Sequence, residues 1–356
     1  MRATRTFRSL AAITLAAVSI GALAACTPAA ESAEASATVS VAPSARSQDL
    51  GFWAAVDEGY FDDEGLTIKT TDLETRTLAR DAVTSGAVNI SHVSVNTSLP
   101  AFVAEEPLKV VASVLKRFPL VATVSESYLA EKGLTVSEYE ALPTADRFAT
   151  LEGAQFGLTT PGDIFDQTLR AQLKALGISD PDAYAEIQYL QSGPALIAQF
   201  QQGSLDVYYG AEPDSEWIAD KFGSAIVFSG DDQFAELPET VIPAGAFLAN
   251  SDWLAEDGND DVLKKFLAAW VKGNEWVEAQ SDDDFATWIT GGYPEVTDAD
   301  ALDRLVKAAA YNRGGTAYDG RLSDEEVQRV IDFAVAQGTI PSAPTVDDVR
   351  TWQYLP

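Results

Sequence analysis

The sequence predicts an α/β protein of two lobes, each a mostly parallel sheet flanked by helices, with a helical segment at the C-terminus. Three observations carry this expectation. A helix-to-strand pattern occurs twice, at Thr77 to Val93 and at Ala195 to Tyr209. Strand patterns alternate with helical ones on both sides of each copy, as in sheets whose parallel strands are joined by crossover helices. Everything after Asn250 is helical in pattern.

Ala37-Thr38-Val39-Ser40-Val41 opens the folded chain with the alternation of a strand, and Pro43-Ser44-Ala45-Arg46-Ser47 ends it in a turn. A helix from Gln48 to Glu58 and a strand from Leu66 to Thr70 follow. In the first copy of the repeat a helix ends at Ser85-Gly86, Ala87-Val88 opens a strand, and Asn89 follows; in the second, Gln202-Gly203, Ser204-Leu205 and Asp206 take the same places. Glycine suits the end of a helix, where a left-handed residue is needed. Each copy sits in a strand-helix-strand module of about 75 residues, Ala37 to Leu115 and Gln155 to Phe228. In the tail, Ser323-Asp324-Glu325-Glu326 reads as a helix cap, while Gly291-Gly292 and Gly338 mark breaks. The tryptophans and phenylalanines of this region fall at helical spacing, the pattern of packing between helices.

The first 25 residues read as a signal. Arg2, Arg5 and Arg8 precede an apolar run from Leu10 to about Leu23, too short for a comfortable membrane span, and Leu23-Ala24-Ala25-Cys26 closes it. Cys26 is the only cysteine of the 356 residues, so the expectation is a lipoprotein, cleaved before Cys26 and carrying lipid such as palmitate on it. Residues 26–36 (TPAAESAEAS after the cysteine) form a flexible tether. The chain left after cleavage has 21 Lys+Arg against 54 Asp+Glu, a formal charge of −33. That argues against nucleic acid and bare anionic lipid as partners. Without a disulfide, apolar burial alone must hold the fold.

Read in order, the chain resembles the substrate-binding proteins of ABC transporters, in the group that includes aliphatic-sulfonate, taurine, nitrate and thiamine-pyrimidine binders. The resemblance rests on Phe52-Trp53-Ala54-Ala55, Glu58-Gly59-Tyr60-Phe61, Glu64-Gly65-Leu66 and Ser85-Gly86-Ala87-Val88-Asn89. It continues through Leu151-Glu152-Gly153, Ala175-Leu176-Gly177-Ile178, the segment Asp206 to Pro213, and Gln337-Gly338-Thr339-Ile340-Pro341 with Trp352-Gln353-Tyr354-Leu355. It implies a two-lobed type II periplasmic-binding-protein fold, with lobe 1 from 37–118 and 242–356, lobe 2 from 119–241, and hinges near Arg117 to Val124 and Val241 to Asn250. It also implies a protein that captures a small organic solute in the cleft and delivers it to a permease and its ATPase.

Parallel sheets put strand C-termini and helix N-termini on one edge, and in facing lobes these edges line the cleft. The candidate ligand-binding residues are therefore Arg46, His92, Ser94 and Asn96 in lobe 1, and Thr160, Gly162, Asp163, Tyr208, Tyr209 and Glu212 in lobe 2. His92, the only histidine, reads equally as a buried residue at a strand end, and Asp163 reads as a helix cap. Tyr208 and Tyr209 alternate in direction, so at most one faces the cleft. An anionic ligand needs a cation such as Arg46, with Lys116 and Arg117 the other cations near the first hinge. The acidic background, the tyrosine pair and Glu212 favour a neutral or weakly basic heteroaromatic ligand over a sulfonate or nitrate. No cofactor and no metal site is expected from one histidine and one lipidated cysteine. The alternatives are an extracellular enzyme using a carboxylate pair, or a binding protein that serves a sensor.

Overall fold

The repeated pattern is a repeated structural device. Gly86 (φ 74°) and Gly203 (φ 72°) sit just past helices Arg76–Thr84 and Gly193–Gln201, in the left-handed region where glycine is at ease. The polar residue of each copy then ties the chain to a neighbouring strand. Asn89 Oδ1 accepts from the backbone N–H of Ser40 at 2.8 Å and from its hydroxyl at 2.7 Å. Asp206 Oδ2 accepts from the N–H of Gln155 at 2.8 Å. A short acceptor is needed at this place because the neighbouring strand has an N–H, on Ser40 or Gln155, that lies beyond the start of the incoming strand and has no ladder partner from it.

In the computed structural model the described residues are 36–73, 76–116, 120–190, 193–211, 214–229 and 245–356. Cys26, most of the tether, Arg117 and Glu212 lie outside them, as do residues 117–119 and 241–244 of the two expected hinges. The strands are β1 (Ala37–Ala42), β2 (Leu66–Thr70), β3 (Ile90–Val93), β4 (Leu108–Leu115), β5 (Leu120–Val124), β6 (Gln155–Leu158), β7 (Glu186–Tyr189), β8 (Val207–Ala211), β9 (Ala225–Phe228) and β10 (Gly245–Asn250). They form two five-stranded sheets of order β2-β1-β3-β10-β4 and β7-β6-β8-β5-β9.

Each sheet is mostly parallel, as expected, with one strand reversed: β1 pairs β2 and β3 in parallel, but β10 is antiparallel to both β3 and β4. The second sheet repeats this, with β5 antiparallel to β8 and β9. Four strands of each sheet thus run one way and one runs back. The reversed strand is in each case the one whose chain has come from the other sheet. A chain that crosses from the C-terminal edge of one sheet to the C-terminal edge of the other must enter its new sheet from that edge, and so must run against the rest.

Helices cover both faces of each sheet. On one face of the first, Val39, Val41, Phe52, Phe247, Phe266 and Trp270 pack together, all fully buried. The helices Leu50–Asp57 and Asn259–Ala279 meet there in a close crossing. Gly51 and Gly273 make it possible: a Cβ on Gly273 would lie 2.0 Å from the Gly51 carbonyl oxygen. The expected cap at Ser323 is present as a reciprocal capping box with Glu326, opening helix Asp324–Ala336. The tail tryptophans pack between helices: Trp270 is fully buried, and Trp276 and Trp288 meet edge to face with centroids 5.3 Å apart.

Candidate ligand cleft

The C-terminal edges of the two sheets come together around one polar node. After β3 the chain turns at Ser94 into helix Val95–Val103, and Asn96 in its first turn is almost wholly buried. After β6, Asp163 opens helix Ile164–Ala175, one turn into which lies Gln167. Asn96 Nδ2 and Gln167 Oε1 are 3.5 Å apart, and the Thr339 hydroxyl stands 3.4 Å from the same oxygen. The Gln167 amide nitrogen donates to the Gly162 carbonyl at 2.7 Å, which fixes the side chain across the gap. Helix N-termini from both sheets thus face one another, each presenting backbone N–H groups and short polar side chains.

A cavity of 330 Å³ opens at the end of β1 and β2, lined by Ser44, Arg46, Trp53, Asp72 and Tyr293 among others. The turn that forms it is held rigidly. The Trp53 indole N–H donates to the Ser44 carbonyl at 2.8 Å, the Tyr293 hydroxyl accepts from the Ser47 N–H at 3.2 Å, and the Asn312 amide donates to the Ser47 carbonyl at 2.8 Å. Larger grooves lie elsewhere, one of 670 Å³ between helices Ile164–Ala175 and Asp324–Ala336 and one of 610 Å³ along the C-terminal tail. The second borders Lys109 at the start of β4 and Ser251 after β10, at the edge of the first sheet opposite the end of β3.

Several residues expected at the cleft are committed to other work. Arg46 bonds the Asp57 carboxylate, with Nη2 3.4 Å from Oδ1, and its guanidinium lies 5.5 Å from the ring of Trp53 and 4.9 Å from that of Trp288. Its charge is neutralised before any ligand arrives. His92 is buried on β3, its Nδ1 3.0 Å from the carboxylate of fully buried Asp49 and its ring edge-on to Phe247. Asp49 begins helix Leu50–Asp57 yet makes no cap bond with its side chain, which turns to His92 instead.

On the lobe-2 side, Asp163 caps its helix, accepting from the N–H groups of Phe165 and Asp166 at 2.9 and 3.1 Å and from Thr160 N–H at 3.1 Å. The cap reading is the one the geometry supports. Gly162 (φ 74°) donates its N–H to Asp166 at 2.8 Å, so it too serves the turn. Thr160 is exposed at the edge, and Ser94 is half-buried with its carbonyl accepting from the Ser98 hydroxyl at 2.9 Å.

The tyrosines require a correction. Neither Tyr208 nor Tyr209 lies at the cleft edge. Tyr208 packs with Leu196, Phe200 and Ile218 on one face of the second sheet, its hydroxyl donating to Asp214 at 3.2 Å. Tyr209 is fully buried on the other face, its ring 5.8 Å from that of Phe228 and its hydroxyl donating to Gln172 at 2.7 Å. Alternation along a strand sends side chains to the two faces, and here helices cover both. Burial also pushes the Tyr209 phenol well above its ordinary pKa and holds it neutral.

The NMT1-like family matches residues 31–290, nearly three quarters of the sequence. The chain belongs to this family. No curated protein matches it by sequence. Among solved structures, the periplasmic aliphatic sulphonate binding protein SsuA of Escherichia coli is 15% identical with a TM-score of 0.62, over 89% of this chain and 92% of that one. The periplasmic nitrate-binding protein NrtA of Synechocystis PCC 6803 is 16% identical with a TM-score of 0.61, over 89% and 86%. The desulfurization enzyme DSZB shares the fold at 11% identity and a TM-score of 0.58, over 89% and 97%. The fold of this NMT1-like chain is therefore that of the periplasmic binding proteins, as the sequence resemblance implied.

Asp49, Gln167 and Thr339 were not singled out by sequence. Thr339 lies within the quoted Gln337 to Pro341 segment, but nothing local in the sequence pairs it with Gln167.

Proposed function

We propose that this protein is the extracytoplasmic solute-binding component of an ABC importer, tethered to the outer face of the cell membrane by lipid on Cys26. It captures a small organic molecule between the two sheets and delivers it to a permease. The observation that carries this reading is the pair of facing strand edges bridged by Asn96, Gln167 and Thr339. A solute held there touches both bodies at once and stabilises the closed form by its differential affinity. The fold shared with SsuA and NrtA supports it.

The ligand is neutral or weakly basic. Arg46 is already paired with Asp57 and lies against the rings of two tryptophans. An oxyanion would meet no uncommitted arginine among the described residues of the β1 turn. The tyrosine pair no longer argues for a ring-shaped ligand; the aromatic surfaces at the cavity are Trp53 and Tyr293. Ser94, Asn96 and Thr160 are the polar contacts.

Native mass spectrometry of the protein with its co-purified solute tests the reading, followed by a thermal-shift screen of stripped protein against alkanesulfonates, nitrate, pyrimidines, amidines and aromatic acids. Stabilisation that grows with the logarithm of ligand concentration is the expected result. No shift with any class would overturn it, and turnover of a compound would favour an enzyme.

A further inference from the structure

Helix Ala299–Gly315 belongs to the first-sheet body along most of its length. Leu305, Val306 and Ala309 pack against Leu50, Ala54, Phe285 and Ile289, and the Gly315 carbonyl accepts from Lys116 N–H at 2.9 Å just beyond β4. One face of the helix also lies against Asp214–Phe222, the helix that follows β8 in the second sheet. Residues 300, 304 and 307 fall on that face, spaced as one side of a helix requires.

Each of the three meets an opposite charge across the boundary. Asp300 accepts from Lys221 Nζ at 2.7 Å, and Lys307 Nζ donates to Asp220 at 2.9 Å while also standing 3.5 Å from Asp303 of its own helix. Between them, Arg304 lies 3.8 Å from the Asp214 carboxylate with its guanidinium 5.0 Å from the Trp217 ring centroid. Asp214 is the least exposed acid of the three and also accepts from the Tyr208 hydroxyl, which links this row to β8. Lys307 stands between Asp220 and Asp303 and so separates the two acids that approach across the row.

We propose that helix Ala299–Gly315 is an electrostatic clasp that favours the closed form before any solute binds, so that ionic strength sets the balance between open and closed protein. This rests on the reading of a two-bodied solute-binding protein. An exposed ion pair is weak alone, but opening separates all three together with the Arg304–Trp217 stack. The contacts of the Gln167 node, at 3.4 and 3.5 Å, are too long to hold the gap shut by themselves. Both bodies carry excess acid, and their long-range repulsion is largely screened once the Debye length falls to about 10 Å at 0.1 M salt. Above that concentration added salt acts mainly on the close pairs of the clasp.

The test is neutron scattering from the full lipoprotein, stripped of solute, in contrast-matched detergent between 0.1 and 1 M NaCl. The wild type is expected to expand as salt rises. Lys307→Glu is expected to be expanded already at 0.1 M, and Lys307→Glu combined with Asp220→Lys to recover both compactness and salt response. A radius of gyration that salt does not move, or a double reversal that stays expanded with native circular dichroism, overturns the clasp. The two readings fail separately. A solute that binds and compacts a protein whose unliganded size ignores salt would remove the clasp alone, whereas salt-driven opening without any solute would remove the binding function alone.

Discussion

Replacing Gly273 with alanine tests whether the helices Leu50–Asp57 and Asn259–Ala279 are held at glycine distance. The added methyl would meet the Gly51 carbonyl oxygen at 2.0 Å and the Ala55 nitrogen at 2.9 Å, both backbone atoms that no side-chain rotation can move aside. Ordinary contact needs about 3.5 Å or more, so helix Leu50–Asp57 must retreat by more than an ångström. Overpacking of this kind costs about 1–3 kcal/mol, and alanine returns about 1 kcal/mol through its better helix propensity. A net loss of about 2 kcal/mol is expected, near the upper part of that range because the obstacle is backbone. Gly291 supplies the control, since it closes a helix with nothing within 4 Å of its missing Cβ. There the same change should be neutral or stabilise by about 0.4–1 kcal/mol. Urea unfolding of both variants, read at the transition midpoint with an unchanged slope, gives the comparison. Because Asp49 and the Ser44 to Ser47 turn precede the displaced helix, Gly273→Ala should also weaken solute binding. Equal stability of the two variants would refute the argument that this crossing is held at glycine distance.

Arg46→Ala should lower stability by about 1–2 kcal/mol through the lost stacking on Trp53 and Trp288, since Asp57 keeps its bond from the Trp288 indole at 2.8 Å. Calorimetry on the solute found by mass spectrometry should show little change in affinity, and a dominant loss would mean the ligand is an anion. Burial raises the Asp214 pKa above its ordinary value, with Arg304 and Tyr208 opposing in part. A carboxyl whose folded pKa is raised binds more protons folded than unfolded, so its contribution to stability is greatest below the unfolded value and is lost as pH rises through the folded one. Asp214→Asn should therefore gain on the wild type as pH is raised from 4 to 7, and a difference that is flat in pH would contradict this. Cys26→Ser should leave a folded protein that detergent partitioning finds released from membranes or unprocessed; an unchanged membrane-bound fraction would refute the lipid anchor.

What was legible in the sequence was what neighbours along the chain decide. The strand at Leu66–Thr70, the cap at Ser323 and the matching positions of Asn89 and Asp206 follow from local pattern, and each is present; that both side chains accept from a neighbouring strand's N–H does not follow from it. The antiparallel strands β5 and β10 were not, because their direction is fixed by where the chain crosses between sheets rather than by composition. Arg46 shows the same limit. Its turn position was plain, but Asp57 and Trp288, the partners that neutralise and cover it, reach it only once helices Leu50–Asp57 and Asp282–Gly291 are packed.

The misplacement of Tyr208 and Tyr209 has a more general cause. Alternation states which two faces a strand presents, and it points to a site only when one of those faces is open. With helices on both sides, Tyr208 and Tyr209 were bound to be buried whichever way each turned, and the reactive or recognising positions could lie only beyond the strand ends. Ser94, Asn96 and Thr160 satisfy that condition, and Gln167 satisfies it from the first turns of the following helix. By the same rule Arg46 stands at an open position past the end of β1, but its bond to Asp57 and its place against Trp53 and Trp288 withdraw its charge from that edge.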